Sequence, residues 1–324
     1  MHKRGIFSSK MFNGVFSNDH LMAAECNCVY WHGMFGGIYL PHLRDAIYKE
    51  LILAQKKKDI EYPLLVREDI DMDGKEELFF SDGVKNIFFK NTGGIIAEWD
   101  FLDKEINILN VVSRRPELYH KEAYEKLGEK NINYDIHRRY SFIDRFISTD
   151  CTISQFFSGK YGEQSSFYDE PYNISKFEEK IIVFEKCGFV VSEDGLHKIC
   201  ITKEFKIIEK GLNISVKIHN MSGKSADFWY GNEINLSFVS PFEGFIIEEK
   251  CDGISFKGRG IELVLTSDSD LSLWGYPIKT VSRNHHEFEE IFQGGCYFMH
   301  KKIKLKAGEY EIIKFQLIEK ETKQ

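Results

Sequence analysis

The sequence predicts a mainly β fold: a large antiparallel β-sandwich preceded by a short helical region, with the change near residue 61. Three observations carry this. Within residues 1–61 apolar side chains recur at spacings of three and four, the period of an amphipathic helix. From residue 62 to 324 short runs alternate apolar and polar residues, the period of a strand with one buried face. Turn residues punctuate those runs at short intervals, which joins neighbouring strands antiparallel and stacks the sheets as a sandwich. The expected domains are therefore 1–61 and 62–324.

In chain order, Asn18 or Asp19 is placed to N-cap a helix running towards Trp31. Gly33, Gly36 and Gly37 break it, and Pro41 stands where a first-turn proline is tolerated, because that N–H has no partner within the helix. Leu43, Ile47, Leu51 and Ala54 then form one apolar stripe, which Tyr62-Pro63 closes. Lys56, Lys57 and Lys58 suit the C-terminus of that helix, where cations oppose the dipole. A further short helix is expected at Lys121–Lys126. Among the strands, Leu212, Ile214, Val216 and Ile218 alternate with Asn213, Ser215, Lys217 and His219 before a turn at Asn220–Gly223. Ile261, Leu263 and Leu265 repeat the pattern, as do Ile303 with Leu305 and Ile313 with Phe315 and Leu317.

A chain of 324 residues can bury roughly three quarters of its extended surface, so core size is not limiting. A net charge of −7 and a pI near 5.9, with no basic stripe, argue against a nucleic-acid partner. Met1–Lys10 lacks the apolar stretch of a signal peptide, and no window approaches the ~18 apolar residues of a membrane span. Seven scattered cysteines, an odd number, suit free thiols in a reducing, cytoplasmic setting and not a disulfide framework. Cys26, Cys28 and His32 supply only three donors, short of a tetrahedral zinc site, and read as buried thiols beside an aromatic turn.

The densest chemistry lies at 24–44, A-E-C-N-C-V-Y-W-H-G-M-F-G-G-I-Y-L-P-H-L-R. Aromatic and imidazole groups concentrated at one bend make a surface suited to a polar ring such as a sugar. This stretch closely resembles the last signature segment of glycoside hydrolase family 57, in its 4-α-glucanotransferase and α-amylase branch. The matching positions are Cys26, Asn27, Tyr30, Trp31, His32, Gly33, Phe35, Gly36, Gly37, Tyr39, Leu40, Pro41, His42, Leu43 and Arg44. Arg114-Arg115-Pro116-Glu117-Leu118-Tyr119-His120, Ser141–Asp144, Asn232–Leu236, Tyr276–Ser282 and Gln293-Gly294 resemble later segments of the same family. After Ser282 the chain departs from it, with Arg283, Asn284, His285 and His286 where relatives usually carry Gln-Ser-Glu.

The resemblance implies a galactose-mutarotase-like supersandwich and an α-glucan or maltooligosaccharide ligand. It implies substrate-binding roles for Asn27, Tyr30, Trp31 and His32. The family's nucleophilic Glu and acid/base Asp lie in a barrel upstream, and retention needs two such carboxyls about 5–5.5 Å apart. No segment here resembles either, so this chain is expected to start inside the fold as the C-terminal, substrate-side half. No catalytic residue is assigned, and no autonomous turnover is expected. The alternative is a carbohydrate-binding or docking module that partners a separately encoded catalytic barrel or another copy of itself. A sugar epimerase on the mutarotase-like scaffold would need a base and an acid, for which His120 and Glu233 are candidates by type.

Asp69, Asp71, Asp73 and Glu77 around Gly74 form a second constellation. Alternate carboxylates before a glycine turn suit calcium, although the twelfth position is Phe80 and not the bidentate Glu of an EF-hand. The competing reading is a solvated Asp-Gly hairpin. Arg114, Arg115, Glu117 and His120 read as a loop pinned to the sandwich by charge-assisted hydrogen bonds. Trp229, Tyr230, Trp274 and Tyr276 are either sugar platforms or core, and Trp99 reads as core.

Overall fold

The computed structural model describes residues 1–12, 15–32, 36–56, 60–127, 133–237, 246–248, 253–284 and 287–320. Gly33, Phe35, Lys57, Lys58, His285 and His286 lie outside the described residues. Three helices come first: α1 His2–Met11, α2 Val15–Ala24 and α3 Pro41–Gln55. Pro41 opens α3 as its chemistry predicts. Ile47, Leu51 and Ala54 of its stripe are buried against Leu21, Ala24 and Val29. Asn18 and Asp19 do not cap α2; they lie inside it, exposed. Packing of Leu21 and Ala24 on α3 fixes that helix, and it stops well before Trp31. Nor does α3 run on to Tyr62-Pro63. Its last residue, Gln55, is buried and tied to Arg4 (2.7 Å), Ser8 and Asn86 (both 2.8 Å), which anchors the helix end on the neighbouring sheet. Lys56 then meets Glu105 at 3.0 Å.

Strands β1 Leu64–Glu68, β2 Glu77–Ser81, β3 Lys85–Lys90, β4 Ile95–Phe101 and β5 Ile106–Asn107 form a five-stranded antiparallel meander. Helix α1 lies against it through Phe7, helped by Phe12 just past its end; their rings meet Phe79 at 5.2 and 6.2 Å. Arg4 is buried in the seam and donates to Glu98 (2.8 Å) and Asp100. A buried guanidinium survives here because two carboxylates offset its desolvation.

The remainder is α4 His120–Leu127, β6 Ile143–Ile147, α5 Ile153–Phe157, β7 Asn173–Glu178, β8 Ile181–Ser192, β9 Gly195–Ile208, β10 Gly211–Asn220 and β11 Ala226–Leu236. After them come β12 Ile246–Glu248, β13 Gly253–Gly258, β14 Ile261–Ser267, β15 Ser272–Asn284, β16 Glu287–Leu305 and β17 Tyr310–Lys320. They build a seven-stranded sheet in the order β13-β14-β17-β10-β9-β8-β7 and a five-stranded one in the order β12-β15-β16-β11-β6. All pairings are antiparallel, as the alternating runs predict.

The alternating apolar residues of β10, β14, β16 and β17 fill the space between these sheets. Along β11 the even positions Phe228, Tyr230, Ile234 and Leu236 enter that core, and Trp229 joins a second cluster on the opposite face. Trp99, Tyr230, Trp274 and Tyr276 are buried, so they serve as core and not as sugar platforms. Half-buried Trp229 stacks on His300 at 5.0 Å.

Cysteine usage corrects the sequence expectation. Cys187 and Cys200 face each other across β8 and β9 and are joined as a disulfide. Strand register, which spacing along the chain does not disclose, puts them together. Cys26 and Cys28 are exposed and not buried. Among the described residues, no helix is long and apolar enough to cross a membrane.

Candidate functional site

The aromatic turn is held by backbone geometry and by three clamps. Gly37 has φ +49°, and a Cβ there would lie 2.2 Å from the Trp31 carbonyl oxygen, so only glycine lets the chain fold back. The Ile38 amide donates to that carbonyl at 3.1 Å and closes the loop. The first clamp is Arg44 on α3. It is buried and donates to Ile38 O and to Asn110 Oδ1 at 2.8 Å, tying the turn to the segment after β5. Burial without a directly bonded carboxylate lowers its pKa to about 10. The second is Glu117, which accepts from the Tyr39 hydroxyl at 2.6 Å. The third is Gln293, which donates to the Tyr39 carbonyl at 2.8 Å and to Thr280 at 2.7 Å. Two distant motifs thus converge on Tyr39.

His32 lies between the rings of Tyr39 (4.7 Å) and Tyr119 (5.2 Å). Its Nδ1 faces the Gly36 carbonyl at 3.1 Å, a partner that only accepts, so Nδ1 carries the proton. In the neutral ring Nε2 is then an acceptor available to a ligand hydroxyl. Trp31 is 53% exposed, unusual for an indole. Tyr30 donates its hydroxyl to the Ala24 carbonyl. Tyr30, Trp31 and His32 line one cleft of about 560 Å³, together with Tyr39, Tyr48 and Arg44. Asn27 is exposed and is not among the lining residues.

That cleft is continuous with a second lobe of about 520 Å³, since both are lined by Lys3, Asp71, Lys90, Arg115, Arg138 and Tyr140. The acidic loop forms part of this second lobe. Ligand atoms of Asp69, Asp71 and Glu77 lie within 4.8 Å of one another. Lys90, which sequence reasoning missed, reaches into them from β3. Its ammonium bonds Asp71, meets Glu77 at 3.1 Å and lies 3.5 Å from Asp73. Both oxygens of Asp69 accept from the Asp73 and Gly74 amides, and Glu77 Oε2 accepts from the Ile70 and Asp71 amides. Burial pushes Glu77 up, whereas at Asp71 the Lys90 contact outweighs burial and lowers it. No periodicity marks Lys90; only the β2–β3 register brings it opposite Glu77.

Below the second lobe is a buried ionic hub. Glu233 receives His137 Nε2 (3.2 Å), Arg139 (2.8 Å) and Arg145 (3.0 Å). Burial would raise its pKa, but His137, Arg145 and Arg139 hold it well below the carboxylate range. Burial takes His137 down to about 4. A fully buried carboxylate between two guanidiniums is a poor proton acceptor. His120, the other epimerase candidate, faces the Val281 carbonyl (3.3 Å) and the Tyr134 hydroxyl (3.0 Å) instead. The structure therefore does not join His120 and Glu233 as an acid/base pair. Arg114 is not paired with Glu117 as the sequence suggested; it donates to Asp135 at 2.6 and 3.0 Å, and Glu117 is taken by Tyr39.

Residues 1–57 match the family described as alpha-amylase/4-alpha-glucanotransferase, middle domain, and residues 69–130 and 121–313 match its C-terminal domain. Alpha-amylase 1 of Dictyoglomus thermophilum is 31% identical over 338 residues, covering 90% of this chain and 47% of its own length. A 4-alpha-glucanotransferase of Thermococcus kodakarensis is 30% identical over 323 residues, covering 92% and 47%. The crystal structure of the Thermococcus litoralis 4-alpha-glucanotransferase superimposes with a TM-score of 0.87 at 27% identity, over 98% of this chain and 48% of that one. A galactose mutarotase-like protein of Clostridium acetobutylicum, at TM-score 0.50 and 11% identity, shares the sandwich fold alone. The chain spans about half the length of the curated relatives it matches.

Proposed function

The chain belongs to the alpha-amylase/4-alpha-glucanotransferase family, and on that premise we propose that it supplies the substrate-side wall of a retaining α-glucan-acting site. The nucleophile and acid/base carboxylates would belong to the half of the relatives' length that it does not span. One observation carries the reading: Trp31 is half exposed at the edge of a cleft, next to a histidine whose orientation is fixed. An indole face would cover the C–H face of a glucose ring, and His32 Nε2 and the Tyr30 hydroxyl oxygen would accept from its hydroxyls.

The test is maltooligosaccharide binding by the purified chain and by Trp31→Ala, read by titration calorimetry. The substitution is expected to weaken binding about tenfold, the worth of one stacked ring, with little change in melting temperature. Unchanged affinity, or unfolding of the whole chain, would remove the stacking role. Disproportionation of maltooligosaccharides by the pure chain would refute the assignment of the carboxylates elsewhere.

A second reading, a docking module, rests on individually exposed apolar side chains: Leu118 is 95% exposed and Ile136 59%, besides Trp31. Where such side chains lie together they mark a partner surface. Co-expression with a family-type barrel, scored for complex formation and restored activity, separates a barrel partner from self-association.

Calcium at the acidic loop enters the proposal as a competitor. The buried Asp71 Oδ1 has no hydrogen-bond partner, which leaves a donor for a metal, but the Lys90 ammonium already sits on Asp71 and Glu77 and offsets one of the cluster's negative charges. Calcium would bind there by displacing the ammonium from Asp71 and Glu77.

A further inference from the structure

A neutral glucan offers no counter-charge, yet the second lobe of the cleft is rich in cations. Lys3 of α1, Lys75 of the β1–β2 loop, Lys90 of β3, Arg115 and Arg138 come from separate segments and line one cavity of about 520 Å³. Lys90 is matched by Asp71, Asp73 and Glu77. The others are not. Among the described residues Lys3 and Arg115 have no carboxylate partner. Arg138 reaches only the Tyr140 hydroxyl (3.0 Å), and Lys75 only the Thr92 hydroxyl (3.3 Å). The acids of the lobe are largely committed: Asp71 and Asp73 to Lys90, and Asp135 to Arg114 and Arg139. Asp71 also feels Lys3 and Arg138 at longer range. Asp169 is exposed and makes no ion pair among the described residues. The lining holds five cations beside four carboxylates, and the cations other than Lys90 face the cavity with no carboxylate partner among the described residues.

We propose that this lobe is a binding site for a phosphorylated hexose. Arginine and lysine side chains drawn from separate segments to one cavity suit the several oxygens of a phosphate dianion. A bare phosphate would fill a small part of a cavity whose size falls in the range of small-molecule sites. The rest of the wall suits a sugar. Thr92 lends a hydroxyl, and Tyr140, Tyr168 and His137 lend aromatic faces. The site rests on the glucan reading only in taking a sugar as the ligand class, and it uses none of the Tyr30–His32 turn.

The experiment is titration calorimetry of the full chain with glucose 6-phosphate, glucose and inorganic phosphate, at low and at raised salt. Glucose 6-phosphate is expected to bind at least about tenfold more tightly than either fragment, more weakly as salt rises. Arg115→Gln/Arg138→Gln should lose about tenfold or more, and Lys3→Gln several-fold, by removing charge-assisted contacts. Trp31→Ala should leave the affinity unchanged. Both arginines are exposed and make no ion pair among the described residues, so the double variant should keep its melting temperature; Lys3→Gln carries the test if it does not. No binding, equal affinity for phosphate and hexose phosphate, or undiminished binding by the variants would overturn the proposal. Loss of hexose phosphate binding in Trp31→Ala would also overturn it, by moving the ligand to the aromatic lobe. Binding of hexose phosphate without any maltooligosaccharide binding would instead sink the glucan reading and leave this one standing.

Discussion

Arg114 and Arg139 are buried, while their immediate chain neighbours Arg115 and Arg138 are exposed at the mouth of the cleft. The inner pair is locked: both donate to Asp135, and Arg139 adds Glu233. Those two arginines hold Asp135 below its ordinary range against the opposing effect of burial. The outer pair forms no salt bridge among the described residues. A guanidinium taken out of water must be matched on the spot, whereas one left in water can wait for a ligand. Pairing therefore separates arginines that hold the sandwich together from arginines free to recognise something.

The largest effect should come from the inner set. Arg139→Met leaves Asp135 and Glu233 with fewer partners in a dry site and should cost about 3–5 kcal/mol in urea unfolding. A cost under about 1 kcal/mol would mean that water reaches the hub, and the contrast would collapse.

His300 sharpens the contrast from another side, because it is buried among Trp229, Trp274 and Phe298 with no charged partner among the described residues. Burial alone lowers its pKa from 6.5 to about 4. The unfolded chain then takes up a proton that the folded chain refuses. Stability from this group is complete above pH 6.5 and is lost as the pH falls towards 4, by roughly 3 kcal/mol at most. Subtracting the pH profile of His300→Phe should isolate that slope. Profiles that run parallel would mean the ring ionises in place.

Lys90 sits between the two classes, as a cation held by a loop that resembles a metal site. Lys90→Met should weaken the metal-free protein and enlarge its stabilisation by calcium. At a hundredfold excess over Kd the shift approaches about 2.7 kcal/mol. If calcium and EDTA move the parent and the variant equally, the loop is not a calcium site. The smallest effect belongs to the outer arginines. Arg115→Gln and Arg138→Gln should change stability by no more than about 0.5 kcal/mol in thermal melts, whatever they do to ligand affinity.

Much of the fold was legible because strand alternation is a local signal. Leu212 to Ile218 and Ile313 to Leu317 announce a buried face without reference to any partner, and the stripe from Leu43 to Ala54 does the same for α3. Helix limits were less legible, since the polar pair Asn18-Asp19 resembles a cap while packing on α3 sets α2. Of the candidate site, the turn at 30–32 was visible as a concentration of costly side chains. Its anchors were visible only as a resemblance in the Arg114–His120 and Gln293-Gly294 segments, and their convergence on Tyr39 was not. The Cys187–Cys200 bond was missed for the same reason, as it depends on the β8–β9 register.

By itself, then, the sequence determined the strand-rich sandwich, the helical start and the aromatic turn, all of which follow from the order of residues over a few positions. Tertiary structure alone decided which of two adjacent arginines is buried, which cation occupies the acidic loop and which carboxylate Tyr39 meets. Those outcomes depend on groups tens to hundreds of residues away, as with Arg139 and Glu233 or Tyr39 and Gln293. Charge and hydrogen-bond pairing is settled only when burial removes water as the competing partner, and burial is a property of the assembled fold.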